Sequence, residues 1–202
     1  MTRFYLIRHA THGLPEGSLP GRTSGLFLPP EGEKQAEQLA ARLASVRFDA
    51  IYSSPLERTQ QTAAHIATRQ TPPRSVQTSD ALNEIDYGAW TGKTIIELTA
   101  TDAAWPAYNT FRSGTSTPNG ESILDIQARA VSEIIRLRRV HGDNATVALV
   151  SHGDVLRALL CHFLAMPLDL LLRLEIAPAS VSIVDVNEWG PRVVCVNDTS
   201  HL

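Results

Sequence analysis

The run Ala145–Val150, ATVALV, carries no polar alternation. A strand that alternates apolar and polar side chains can leave one face in water; a continuous apolar one is buried on both faces. Such a strand needs neighbours in a sheet and helices above and below it. The rest of the chain supplies them. Arg3–Arg8 (RFYLIR) reads as a strand at the start, Ala50–Ser53 as a short one, Ser75–Thr78 as another, and Ser180–Asn187 and Val193–Asn197 as closing strands around Gly190-Pro191. Ala36, Leu39, Ala40 and Leu43 share one face of a helix over Glu31–Ala44, opened by Pro30. A second helix is predicted over Pro55–Thr68, with Pro55 in its first turn. A third runs from about Glu121 to Val140 on the stripe Ile123, Ile126, Ala130, Ile134, Leu137, and a fourth over Val155–Leu164. Strands alternating with helices predict an α/β fold, a three-layer α/β/α arrangement with a mainly parallel central sheet.

At 202 residues, with 43% hydrophobic and 19% charged residues, the chain has material for one long globular domain. Two stretches interrupt the alternation. Residues 10–30 are rich in Gly, Pro, Thr and Ser and read as a long loop, which in a compact domain is usually functional or disordered. Residues 84–120 are irregular and hold Tyr87, Trp90, Trp105, Tyr108 and Phe111, five of the twelve aromatics. The expected organisation is a single domain over 1–202 with a cap-like insertion at about 85–120.

Several classes are disfavoured. Cys161 and Cys195 are the only cysteines, so neither a disulfide framework nor a cysteine-rich zinc site is expected. No stretch of about 18 apolar residues predicts a membrane span. The opening MTRFYLIRHA is too soon broken by Arg8 and His9 to be a secretory signal, so the expected location is reduced and cytoplasmic. A net charge of −3 argues against nucleic acid or a membrane surface as partner. Of the 18 basic residues 16 are Arg, whose planar forks suit phosphate or carboxylate.

In parallel α/β sheets, ligands bind at the carboxyl ends of the strands. There the first strand runs into Arg8-His9. The second runs into Ser53-Ser54-Pro55, with Arg58 just beyond. ATVALV runs into Ser151-His152-Gly153. Singly, each is an ordinary strand-end or surface residue; as parallel neighbours they bring two His and two Arg to one crevice. That set suits phosphoryl transfer. The Arg forks bind phosphoryl oxygens, helix N-termini add N–H donors, one neutral imidazole attacks phosphorus and another donates to its oxygens. No metal or other cofactor is called for, and no Asp/His ligand cluster is visible.

LIRHA at 6–10, SSPLERTQQTA at 53–63, LNEIDYGAWTGKT at 82–94 and SHGDVLRALL at 151–160 resemble the histidine phosphatase superfamily, in its phosphoglycerate-mutase-like branch. GRTSG at 21–25 and PNGES at 118–122 extend the likeness over nearly the whole chain. The resemblance implies His9 as the nucleophile that becomes phosphohistidine. It implies Arg8, Arg58 and His152 as the rest of the phosphate pocket, beside Gly153, and Glu84 as the proton donor, with Asp86 the alternative acid. Residues 87–112 would cap the site. The chain departs from the family pattern at Ala10, Pro15 and Thr91. Pro15 replaces an Asn that contacts phosphate in many members, a contact Thr23 or Thr11 could supply, and Arg22 and Arg112 are candidates for a second anionic group. Among the other histidines, His12 could line the entrance, His65 and His141 read as helix surface, and His162 as core or interface. His201 reads as a free terminus or a neighbour of the site's rim.

The expected function is a metal-independent phosphomonoester hydrolase acting on a small phosphorylated metabolite, with a homodimer the assembly to consider. A phosphoglycerate-type mutase shares the first half-reaction, but mutases proper are typically longer. A non-catalytic module that holds a phosphoryl ligand is the alternative from another class, and a metallophosphatase is the weakest.

Overall fold

Side-chain alternation along the central strand sorts the interior into two cores. The computed structural model describes residues 1–202. In β4 (Thr146–Ser151), Val147 and Leu149 join one cluster and Ala148 and Val150 the other. β1 (Thr2–Arg8) divides the same way, Phe4 and Leu6 against Ile7. This is the period-2 geometry of a pleated strand buried on both faces.

The sheet has six strands in the order β3 (Val76–Thr78), β2 (Ala50–Ser53), β4, β1, β5 (Val181–Asn187) and β6 (Gly190–Asp198). β3, β2, β4 and β1 are parallel; β5 runs antiparallel to β1, and β6 antiparallel to β5. On one face lie α1 (Pro30–Leu43) and α2 (Glu57–Arg69), which supply Ala36, Leu39, Leu43, Ala63 and Ile66 to the smaller core. On the other lie α5 (Ile123–His141) and α6 (Gly153–Phe163), with Ile126, Ile134, Leu156 and Leu160 in the larger. The expected three layers are present, with two antiparallel strands at one edge.

Local chemistry sets the element ends. Ser122 caps α5 reciprocally with Asp125, each side chain taking the other's backbone N–H, and Gly142 closes it at φ +72°. α2 starts at Glu57, later than the sequence suggests, and Pro55 precedes it. The Ser54 carbonyl is taken by the Thr59 hydroxyl and the Gln60 amide, so the Ser54–Leu56 turn is held by side chains instead of helix.

Both interruptions are ordered. Leu19 N–H donates to Lys93 O, Gly92 N–H to Leu19 O and Ile95 N–H to Gly17 O, so the long N-terminal loop is stitched to residues 92–95. Residues 84–120 hold two short helices, α3 (Ile95–Thr101) and α4 (Ala104–Thr110), with single 3-10 turns at Gly88–Trp90 and Arg112–Gly114. Trp90, Trp105 and Tyr108 pack on one another within this segment. At its base two loops meet backbone to backbone. A Cβ on Gly88 (φ +53°) would lie 2.1 Å from Pro118 O, and one on Gly120 2.2 Å from Asp86 O, so neither position tolerates a side chain.

Candidate active site

The in-register pairing of Arg8 with Ser151, and of Ser53 with Val150, brings three strand ends together. His9, Arg58 and His152 meet there, almost wholly removed from solvent. The His9 and His152 rings are 5.1 Å apart, centroid to centroid.

Their hydrogen bonds fix the tautomers. His9 Nδ1 lies 2.7 Å from Ala10 O, and a carbonyl only accepts, so Nδ1 carries the proton. The lone pair is therefore on Nε2, which faces Arg58 Nε at 3.4 Å. His152 Nδ1 accepts from Arg58 Nη2 at 3.3 Å, so its Nε2–H donates to Ser54 Oγ at 2.8 Å. Burial, then the Arg58 and Arg8 charges, hold the His9 proton affinity well below that of an ordinary imidazole. Burial, His9 and the same arginines act likewise on His152. Both rings are neutral at pH 7.

The arginines are incompletely used. Arg58 Nη2 donates to Gly21 O at 2.9 Å and Arg8 Nη1 to Ile176 O at 2.5 Å. Arg58 Nη1 and Arg8 Nε are buried with no partner. Buried N–H donors are nearly always paired, and two idle guanidinium donors in one cleft mark a place for an anion. Gly153 opens α6 beside them. A Cβ there would approach Arg157 Nη1 to 3.2 Å and Arg8 Cζ to 3.5 Å, so glycine lets both guanidiniums close over the helix N-terminus.

Glu84 completes the wall. Its Oε1 accepts from Ile85 N–H at 2.9 Å, and its Oε2 lies 3.7 Å from His152 Nδ1. Burial, and next the Asp154 carboxylate, raise its carboxyl to about 7, against the opposing pull of Arg58 and Arg8. Arg22 and Arg129 both donate to the Glu84 carbonyl and both pair with Glu121, so the loop bearing Glu84 is braced from behind.

The cleft, ≈ 100 Å³, is lined by Arg8, His9, Glu84, Tyr87, Gly153 and Asp154 together with His12, Ser18, Pro20 and Arg157. A larger recess of ≈ 390 Å³ shares Arg8, His12 and Ser18 with it and is walled by the Thr11–Ser18 loop, Glu175 and Pro178. His12, its proton affinity lowered to about 4 mainly by burial, stands at the junction. No group of three or more His, Cys, Asp or Glu is disposed to hold a metal ion.

Other expectations are redirected. Thr23 is exposed and lines neither cavity; Thr11 is in the recess. Arg22 is engaged in the brace behind Glu84. Asp86 spends its carboxylate on Gly88 N–H within a turn. Trp90 is core and lines neither cavity, and Arg112 sits behind Asp154, bonded to it at 3.4 Å. His162 is exposed, whereas His65 pairs with Glu33 and His141 with the Tyr52 hydroxyl. His201 bonds to Ala179 O, and Ala179 N–H in turn holds the His9 carbonyl. Asp154, Arg157 and Arg129 carry no role assigned from the sequence, and Tyr87 was read there only as part of the cap. Arg157 carries the one readable signal: it falls one helical turn after Gly153.

Two neutral imidazoles, idle guanidinium donors and a protonatable carboxyl gathered at the strand ends of an α/β sheet are a set of groups suited to phosphoryl transfer. The chain belongs to the histidine phosphatase superfamily, branch 1, whose sequence profile matches residues 4–199. It is an enzyme of the phosphoric monoester hydrolase class. It is 33% identical over 211 residues to phosphoserine phosphatase 1 of Hydrogenobacter thermophilus, covering all of this chain and 95% of that protein. It is 31% identical over 214 residues to the probable phosphoglycerate mutase GpmB of Enterobacter sp. strain 638, covering 100% and 95%. Among solved structures it is similar to a phosphoserine phosphatase of Entamoeba histolytica in complex with phosphoserine, with TM-score 0.87, 28% identity and full coverage of both chains.

Proposed function

We propose that the chain hydrolyses phosphomonoesters in two steps through a phosphohistidine on His9. The observation that carries this is the His9 Nε2 lone pair, set by the Nδ1–H bond to Ala10 and met by Arg58 Nε, at a site where Arg58 Nη1 and Arg8 Nε are buried without a partner. The phosphoryl group sits among Arg8, Arg58 and His152 at the N-terminus of α6. His9 Nε2 attacks phosphorus, the ester P–O bond breaks, and the departing oxygen takes the Glu84 proton. Water then attacks the phosphohistidine and gives a proton to Glu84 carboxylate. The P–N bond breaks, and inorganic phosphate and the starting enzyme are restored. A carboxyl near 7 is suited to both duties, since it is part protonated and part ionised at working pH. The segment at about 85–120 acts as a cap, with Tyr87 as its contact with the substrate side of the cleft.

Hydrolysis is favoured over mutase action by the recess that adjoins the cleft, which gives water a route to the phosphoenzyme. The relatives' names point to phosphorylated hydroxy acids and amino acids as the substrates to try first. The test is rapid-mixing labelling with a phosphomonoester carrying radioactive phosphate, quenched in alkaline denaturant. The wild type should show transient, acid-labile and base-stable label, and His9→Ala should show neither label nor turnover. Label on His9→Ala overturns the assignment and directs attention to His152.

A further inference from the structure

Asp154 is the acidic residue of the cleft that the proposed reaction leaves without a task. It lies in the first turn of α6, where an acidic side chain needs no explanation beyond the helix dipole. Its contacts are more specific than that. One carboxylate oxygen, Oδ2, accepts from the Tyr87 hydroxyl at 3.1 Å and from Arg112 Nη1 at 3.4 Å. The other accepts from Arg157 Nη1 at 3.1 Å. Tyr87 follows Glu84 by three residues, and Arg112 stands at the far end of the same segment, after α4. A single carboxylate on the sheet-bound helix thus holds both ends of the irregular segment, and it does so at the cleft wall.

We propose that Asp154 is a positioning residue of this active site. It ties the Glu84 loop to α6 through Tyr87 and Arg112, and it sets a fixed negative charge in the wall of the same small cleft as Glu84. The inference rests on the reading of Glu84 as general acid.

The groups facing Glu84 come from every side. Arg58 and Arg8 favour its ionised form, His152 is neutral, and Tyr87 and Tyr108 are uncharged phenols whose protons burial makes harder to lose. Arg22 and Arg129 meet its backbone carbonyl. Asp154 is the anion among them, and its own ionisation is secured by Arg112, Arg157 and the Tyr87 hydroxyl. Two buried carboxyls near each other do not both ionise readily. Here the arginines fix the charge on Asp154, so the proton stays on Glu84.

The experiment is the pH profile of kcat/KM with an alkyl phosphomonoester, in wild type, Asp154→Asn, Tyr87→Phe, Arg112→Gln and Glu84→Gln. The wild type should lose activity as pH rises through the Glu84 ionisation. In Asp154→Asn that limb should move toward acid by roughly one pH unit, the size expected for loss of a nearby like charge. Tyr87→Phe removes a bond but no charge, so its rate should fall with the limb in place. Arg112→Gln should move the limb the other way, which keeps the test intact if Asp154→Asn does not fold. A limb unmoved in Asp154→Asn, or moved toward acid in Arg112→Gln, overturns the proposal. Glu84→Gln separates the two readings. If the limb persists there, Glu84 is not the acid; if it vanishes while Asp154→Asn leaves it in place, only the role of Asp154 fails.

Discussion

A carboxyl whose proton the folded protein holds up to about pH 7 costs the fold stability once that pH is passed. Glu84 in the native protein binds its proton up to about pH 7, whereas the unfolded chain releases it near 4.5. The folded-state affinity is raised, so its contribution to stability is complete below about pH 4.5 and is lost as pH rises through 7. Glu84→Gln escapes that loss. Its stability should match the wild type near pH 4 and exceed it by on the order of 3 kcal/mol at pH 8; urea midpoints at the two pH values measure this. The same variant should lose about 10²–10⁴ in turnover of an alkyl phosphate, the usual worth of a general acid. With p-nitrophenyl phosphate, whose leaving group needs little protonation, phosphorylation should suffer far less and the phosphoenzyme should accumulate. Equal loss in the phosphorylation rate for both substrates would remove Glu84 from the acid's role. His9, Arg58 and His152 were legible in the sequence because each follows a readable strand, and the strand-end rule gathers them. Asp154 and Arg129 were not, because their work depends on side-chain partners far away in sequence. Thr23 fell outside the cleft because chain order alone does not say which side of a loop faces inward.

Among the elements, the aromatic segment asks whether Trp90 touches substrate or holds the segment together. Trp90 is 1% exposed, edge-on to both Trp105 and Tyr108, and its Nε1–H donates to Asp102 at 2.7 Å. The geometry of packing predicts the outcome of packing. Trp90→Ala should cost about 3–5 kcal/mol of stability, the range for truncating a buried aromatic, and should lower kcat/KM by a similar factor for every substrate. A change in substrate ranking without a fall in melting temperature would show that Trp90 reaches the leaving group. The helices α1 and α5 and the strand β4 were readable because a long apolar periodicity records which face is buried. The two short helices α3 and α4 were not. With seven residues each, they are about two turns long, too short for a stripe to emerge, and they are held by the aromatic cluster and by pairing with the 17–19 loop. The antiparallel course of β5 and β6 was equally hidden, since strand direction leaves no trace in composition.

Across the whole molecule, a net charge of −3 is set against a cleft lined by Arg8 and Arg157, with Arg58 buried against His9 of its wall, opposed by Asp154. The attraction for a phosphate dianion is therefore local, made of directed N–H bonds in a buried place, and the chain's overall charge does not provide it. A ligand that binds only the folded state raises stability by RT ln(1 + [L]/Kd), about 2.7 kcal/mol at a hundredfold excess over Kd. For a domain of this size each kcal/mol moves the melting temperature by roughly 2–4 °C. Inorganic phosphate or orthovanadate at that excess should therefore raise the melting temperature by roughly 5–10 °C. EDTA should change neither the shift nor the turnover, since the anion's partners here are guanidinium, imidazole and backbone N–H groups. Arg58→Lys keeps the charge but loses the fork that spans Gly21, His9 and His152, so most of the shift should disappear. The control lies in a second basic groove, of ≈ 460 Å³, lined by Arg138 and Arg139. Arg139→Gln should leave the shift unaltered. A shift that survives Arg58→Lys and vanishes in Arg139→Gln would place the anion in that groove and detach the phosphate from the cleft. A shift that needs a divalent ion restored after EDTA would replace the metal-independent reading with a metal-assisted one.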